Sequence, residues 1–472
     1  MLKVYNTLSR KLDEFKPIDK GKIRFYHCGP TVYWTQHIGN LRGMAMGDLI
    51  RRSLIYLGYE VKYVRNYTDF GHLTSDADVG EDKMEKGAKR EGLTPEEVAD
   101  KYIAQFERDT EALNLLEPTI KARATDYIDD MIKMIEVLVE KGYAYVTPKA
   151  IYFEVAKFPN YTELSRRNLE KDKAGAGFGS VQDSDKKDPA DFALWFFKTG
   201  AHENALQYWP SPFESPEVEN GEGIPGWHLE CSTMANVNLG ATLDIHMGGV
   251  EHISIHHPNE IAQSESANGV KYVNYWIHNE HLMVDGEKMS KSLGNVYNLA
   301  SIVEKAFTPM DLRYFYLQAQ YRSKQNFTTE ALEGAKNAYK KMVDRVRVLN
   351  QNIEEKGSID KSFKNEFVKT LEDDFNIPEA LAVSWELLKA DINDNDKLAT
   401  ILDFDRVLGL NLLDKAEKEI EIPEEVEKLL KRRKEARENK EWEKSDEFRD
   451  KLENDFNIKV KDTEEGQIID TI

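Results

Sequence analysis

The 472-residue chain is poor in cysteine, with only Cys28 and Cys231. Two cysteines do not make a disulfide framework, so a small stapled secreted scaffold is excluded. Long apolar runs are missing too, and the mean hydropathy of -0.60 leaves no membrane-spanning helix to expect. The first residues never build the apolar stretch of a secretory signal, which points to a cytoplasmic protein with no membrane partner. Positive charge is in deficit: 64 Lys and Arg stand against 84 Asp and Glu, a net charge of -20. A protein that merely coats nucleic acid is excluded by that balance, although a local basic segment can still dock a structured RNA. GxxxxGK[ST] is absent, so this is no P-loop enzyme, and neither CxxC nor HExxH occurs. The one GxGxxG match, Gly221 to Gly226, follows an acidic loop and holds Pro225, so it is no dinucleotide fingerprint.

At roughly 150 residues per domain the length implies about three domains. Lys22 to His27 reads as a strand that turns at Cys28-Gly29-Pro30, and apolar residues from Leu41 to Leu57 recur at helical spacing before Gly58. Val61 to Tyr67 then reads as the next strand, giving a βαβ opening. Helices are expected over Glu96 to Leu116 and Asp126 to Glu140. The stretch from about Lys171 to Gly226 is loop-rich with short aromatic runs, and strand and helix signals resume from Asp244. After Pro309 the text is helical almost throughout, ending in one charged helix from Pro423 and a strand-like Ile458 to Val460. The expected fold is therefore α/β: a Rossmann-like parallel-sheet catalytic domain split by an insertion, followed by a mainly α-helical C-terminal region.

Three constellations carry chemistry. Seven of the 11 histidines lie between His228 and His281, where an even spread would place about one, and Cys231 sits among them. His256 and Glu260, four apart, share one helix face. With Cys231 and distant Cys28 they offer two thiolates, an imidazole and a carboxylate, a donor set that suits Zn²⁺. In the second, His37-Ile38-Gly39-Asn40 stands where the first loop enters its helix, and a helix N-terminus offers free N–H groups to a nucleotide's phosphates. The third is Lys288-Met289-Ser290-Lys291-Ser292, flanked by Gly286 and Gly294, a cationic loop suited to closing over a triphosphate.

Taken in order, these motifs resemble the cysteinyl-tRNA synthetases, a family of class I aminoacyl-tRNA synthetases. Cys28 to Tyr33 followed by His37 to Asn40 is similar to the family's opening and its HIGH signature, and Lys288 to Ser292 is identical to KMSKS. Gly226 to Ser232, His256 to Glu265, Asp374 to Pro378 and Asp462-Thr463 also resemble family segments. Pro258 and Gly248 to Ile253 depart from the family pattern.

The resemblance implies activation of L-cysteine with ATP to cysteinyl-adenylate, then transfer to the 3′ end of tRNA(Cys). It implies one Zn²⁺ held by Cys28, Cys231, His256 and Glu260, and Mg²⁺ accompanying ATP. It also implies a cysteine pocket of Gly29, Thr68 and Trp227, triphosphate binding by His37, Asn40 and Lys291, and catalytic roles for these three and Lys288, with Lys291 acting in the transition state. Residues 1–115 and 227–309 would form the catalytic domain, 116–226 an insertion, 310–415 an anticodon-side bundle, and 416–472 a small tRNA-binding segment. Lys431 to Arg437 is expected to offer a local basic face to RNA.

Overall fold

Residues 1–71, 82–168, 185–289, 294–352, 355–417, 424–456, 458–463 and 466–471 are described by the computed structural model. The chain forms two units, Met1–Leu413 and Asp414–Ile472. The first is organised by a five-stranded, wholly parallel sheet in the order Val273–Asn279, Leu243–Gly249, Lys22–His27, Glu60–Tyr67, Ile120–Arg123. The middle strand, flanked on both sides, is the one that delivers Cys28. Its strand order reverses around Lys22–His27, and open parallel sheets bind ligands outside the carboxyl ends of the strands at such a reversal.

The βαβ opening forms as the periodicity requires. His37 caps the Ile38–Tyr56 helix through its side chain, and nearly every residue from Ile38 to Leu54 is buried, because the helix is covered on more than one face. Ile120–Arg123, placed in the insertion by the sequence reading, pairs with Glu60–Tyr67 and completes the parallel sheet.

The loop-rich reading of 171–226 missed two strands of a sheet, Phe192–Phe197 and Gly223–Pro225. Ala144–Val146, Ala150–Phe153, Phe192–Phe197 and Gly223–Pro225 form four antiparallel strands in that order. Phe192 to Phe197 is buried at all six positions, so it shows no polar alternation and reads as a bare aromatic run. Leu194 and Phe197 enter the main core, while Ala193 and Phe196 pack with Ala150 and Tyr152 on the other face.

Helices Pro309–Leu317, Thr329–Gln351, Lys361–Glu372, Ile377–Lys389 and Asp394–Leu408 follow in the same unit. They are joined to the first helix by a buried ionic knot. Asp48 accepts from Arg52 and Arg313, each at 2.9 Å, and from the Leu116 N–H at 2.8 Å. Both guanidiniums spend their remaining donors on carbonyls of Leu113, Asn114, Arg406 and Leu408.

In the second unit, the expected single charged helix is two, Glu424–Glu438 and Trp442–Phe456, separated where Lys440 takes a left-handed φ of 61°. They pack with the antiparallel hairpin Ile458–Thr463 and Gly466–Thr471 around Val426, Leu429, Leu452, Ile458 and Val460. Among the described residues, no helix is long and apolar enough to cross a membrane.

Candidate active site

Cys28 follows its strand directly, and its N–H donates to Met247 of the neighbouring strand at 2.9 Å. Cys231 lies in the second turn of the Trp227–Leu239 helix, and His256 and Glu260 lie on the first turns of the His256–Asn268 helix. Those two helices pack on each other, and one ligand atom from each of the four residues falls within 4.8 Å of all the others. The sulfurs are 4.0 Å apart, and His256 Nε2 is 3.2 Å from Glu260 Oε1. Two sulfurs held about 2.3 Å from a tetrahedral Zn²⁺ stand roughly 3.8 Å apart, so the spacing fits a shared ion and not a disulfide.

The electrostatics lead to the same reading. Sharing the Cys28 proton, together with the nearby His256, holds the Cys231 thiol well below its ordinary range, while burial pushes Cys28 up. Burial and the neighbouring Cys231 raise the Glu260 carboxyl to about 8. Burial opposes charge on His256, but Cys231 and Glu260 outweigh it and raise its pKa. Burial likewise keeps His246, His252 and His257 neutral. His256 Nε2 is the near neighbour of Glu260 Oε1 but does not make a well-aligned hydrogen bond to it, and Glu230 Oε1 and His246 Nδ1 are buried without one. A buried carboxyl oxygen left so is costly, and a cation beside Glu260 Oε1 would remove that deficit.

Above the cluster lies a cavity of about 530 Å³ whose wall includes Cys28, Gly29, His37, Asn40, Trp227 and Lys288. His37 is the N-cap of the Ile38–Tyr56 helix, its Nδ1 accepting the Asn40 N–H at 3.1 Å. The helix entrance is tied to the far side of the loop by Ile38 N–H donating to Tyr297. Lys288 is exposed on a two-residue strand paired with Met283. A Cβ on Gly39 would meet the Met289 methyl at 2.4 Å, so the two signature segments are in contact. Lys291 lies outside the described residues.

Trp227 begins its helix with its ring 5.1 Å from that of His256, a wall beside the cluster. Thr68 is buried and donates to Glu230 at 2.7 Å. Gly29 is a glycine for packing reasons, since a Cβ there would fall 1.8 Å from the Asn66 carbonyl oxygen. Pro258 is harmless to the fold, because it occupies the first helical turn where no intrahelical N–H is needed. His252 brings an extra imidazole to the cavity wall, its ring 5.0 Å from that of His256.

Glu230, His246 and His257 escaped the sequence reading as site residues. His246 and His257 each approach Cys28 Sγ, at 3.4 and 3.6 Å, and form a second candidate ligand group with Cys28 and Glu260. The histidine density was their signal; Glu230 had none beyond its place next to Cys231. The basic run is not a uniform face. Lys431, Arg432 and Lys434 are exposed, but Arg433 is buried at 2% exposure and Arg437 lies over Trp442 at 5.6 Å.

The family model for the tRNA synthetases class I (C) catalytic domain matches residues 14–337, and that for the cysteinyl-tRNA ligase anticodon binding domain matches residues 420–469. A cysteine–tRNA ligase of Treponema denticola is 42% identical over 96% of this chain and 96% of its own. Cysteine–tRNA ligase 1 of Burkholderia lata is 42% identical over 99% of this chain and 96% of its own. Among solved structures, a methionyl-tRNA synthetase of Mycobacterium tuberculosis bound to methionyl-adenylate matches with a TM-score of 0.55 at 15% identity, covering 84% of this chain and 91% of that one. The LeuRS-tRNA-LeuAMS ternary complex of Agrobacterium radiobacter K84 (agnB2) matches with a TM-score of 0.58 at 13% identity, covering 86% and 85%. These two likenesses concern the fold alone.

Proposed function

Since this chain belongs to the cysteinyl-tRNA synthetases, we propose that its buried Cys28, Cys231, His256 and Glu260 hold one Zn²⁺ and that this cluster selects the amino acid. The chain is a cysteine–tRNA ligase, an α/β class I synthetase whose partners are L-cysteine, ATP and tRNA(Cys). Cysteine and ATP give cysteinyl-adenylate and pyrophosphate, and the tRNA 3′ end then takes the cysteinyl group and releases AMP.

The observation that carries the zinc reading is the tetrad's spacing together with a buried Glu260 Oε1 that makes no well-aligned hydrogen bond. Zn²⁺ bound there would supply a soft centre that a substrate thiolate ligates far better than the alcohol of serine does. Packing alone discriminates poorly between near-isosteres, which is why selection needs a donor-specific contact. Trp227 closes one side of the substrate, and Gly29 and Thr68 are assigned to the amino-acid pocket beside it.

His37 and Asn40 at the helix N-terminus are assigned to the triphosphate, where N–H groups and the helix dipole favour negative charge. Lys288 and Lys291 add cations from the signature loop, Lys291 acting on charge that develops at the α-phosphate. Mg²⁺ would accompany ATP. In this reading residues 1–115 and 227–309 form the catalytic domain, 116–226 the insertion with Ile120–Arg123 contributed to the sheet, 310–415 the anticodon-side bundle, and 416–472 the tRNA-binding segment. The chain would work in the cytoplasm, where tRNA and ATP meet. Cysteine-dependent pyrophosphate exchange tests the assignment, with serine expected to be weaker by orders of magnitude. Equal exchange with both amino acids would refute zinc-based selection.

A further inference from the structure

Cysteine is assigned to the tetrad and the triphosphate to the His37 end of its helix, but the tRNA terminus has no assigned surface in the cavity. The wall formed with helices Lys83–Glu91 and Pro95–Ala112 carries Trp34, which lines the cavity and is 36% exposed. The Arg90 guanidinium carbon lies 3.6 Å from the centroid of its ring. Arg90 is itself fixed: it donates to the Tyr33 carbonyl at 2.9 Å, to Tyr102 Oη at 3.1 Å and to Glu91 at 2.9 Å. The Tyr102 ring lies nearly parallel to the indole, 6.4 Å away at 23°. The backbone around Trp34 is held as well, since Gln36 donates to the Trp34 carbonyl and Thr35 donates to Gln105 of the second helix.

A rigid indole with a clamped guanidinium against it and part of its surface at a cavity suits base stacking, because every nucleobase presents a π face. We propose that Trp34 is the platform on which the 3′-terminal adenine of the tRNA stacks during cysteinyl transfer. The inference rests on the ligase reading above. In that step a hydroxyl oxygen of the terminal ribose attacks the adenylate carbonyl carbon and forms the ester bond. The bond from that carbon to the phosphate oxygen breaks, AMP leaves with the electron pair, and the hydroxyl proton passes to solvent. Trp34 touches only the base and fixes where the ribose stands, so it matters to the second half-reaction and not to the first.

The experiment uses the full chain and a tRNA(Cys) transcript whose terminal adenine is replaced by 2-aminopurine, whose fluorescence falls on stacking. Wild-type chain should quench the probe, Trp34→Ala should lose the quench, and Trp34→Phe should keep most of it. With unmodified tRNA, Trp34→Ala should slow transfer from preformed adenylate roughly 5- to 150-fold, the range of one lost base stack. Its cysteine-dependent pyrophosphate exchange should stay within about twofold of wild type, which also reports a folded first unit. Equal losses in exchange and transfer would overturn the proposal and assign Trp34 to ATP or to architecture. Unchanged quenching and transfer in Trp34→Ala would place the adenine elsewhere. If wild-type chain showed no cysteine-dependent exchange, the ligase reading itself would fall, and the stacking proposal with it.

Discussion

Two buried ionisable clusters in the first unit invite comparison. Around Asp48, one carboxylate meets two guanidiniums, and both of its oxygens and their spare donors find partners. Around Glu260, two thiols, several imidazoles and a carboxyl crowd together, yet Glu260 Oε1, 3.2 Å from His256 Nε2, makes no well-aligned hydrogen bond. The first cluster is complete as built and holds the opening helix to the later helical region. The second lacks that closure. A saturated buried network signals architecture, whereas a buried cluster rich in donors and short of partners signals a ligand.

The largest expected effect comes from breaking the second cluster. Cys231→Ala should lose bound zinc and lower the cysteine-over-serine ratio in pyrophosphate exchange by roughly 10³-fold or more, since only packing would remain to discriminate. Circular dichroism should still show a folded chain. Retention of both zinc and selectivity would equate the two clusters.

Asp48→Asn should do the opposite. Two buried guanidiniums would lose their counter-charge, and chemical denaturation should report a loss of about 3–5 kcal/mol. Zinc content and the cysteine-over-serine ratio should stay at wild-type values. A shift in selectivity without a loss of stability would undo the contrast.

The pH dependence sharpens this further. Burial works against the Asp48 carboxylate, but Arg52 and Arg313 outweigh it and hold its pKa below the ordinary value. A depressed carboxylate contributes stability that is complete above its unfolded pKa of about 3.9 and is lost as pH falls through the folded value. The stability gap between wild type and Asp48→Asn should therefore be level from neutral pH down to about pH 4 and narrow below it. A gap that narrowed between pH 8 and 6 would assign the difference to another group.

Much of the second cluster was legible in the sequence, and little of the first. Histidine crowding and the four-residue spacing of His256 and Glu260 point to the side chains that the fold brings together there, and the segments around His37 and Lys288 both line the cavity beside them. The βαβ opening follows from apolar periodicity. Asp48 and Arg313, by contrast, are ordinary charged residues 265 positions apart, and only the tertiary fold makes them partners. Phe192 to Phe197 hid as a strand because burial on both faces erased its alternation. The break at Lys440 hid because a left-handed lysine has no glycine to announce it.

The smallest expected effect lies in the second unit, where buried and exposed charge again separate. Neutralising Lys431, Arg432 and Lys434 together should raise the tRNA KM a few-fold and flatten its salt dependence, leaving pyrophosphate exchange intact. Arg433→Ala should instead lower the thermal stability of that unit, because the side chain is buried. Identical behaviour of the two variants in aminoacylation at two salt concentrations would erase the distinction.

The most direct test of the claim that the Glu260 cluster is built around a cation is native mass spectrometry of the purified chain beside Cys231→Ala and Asp48→Asn. One zinc per chain is expected in wild type and Asp48→Asn, and none in Cys231→Ala. A zinc-free wild-type chain that still prefers cysteine over serine would contradict the account.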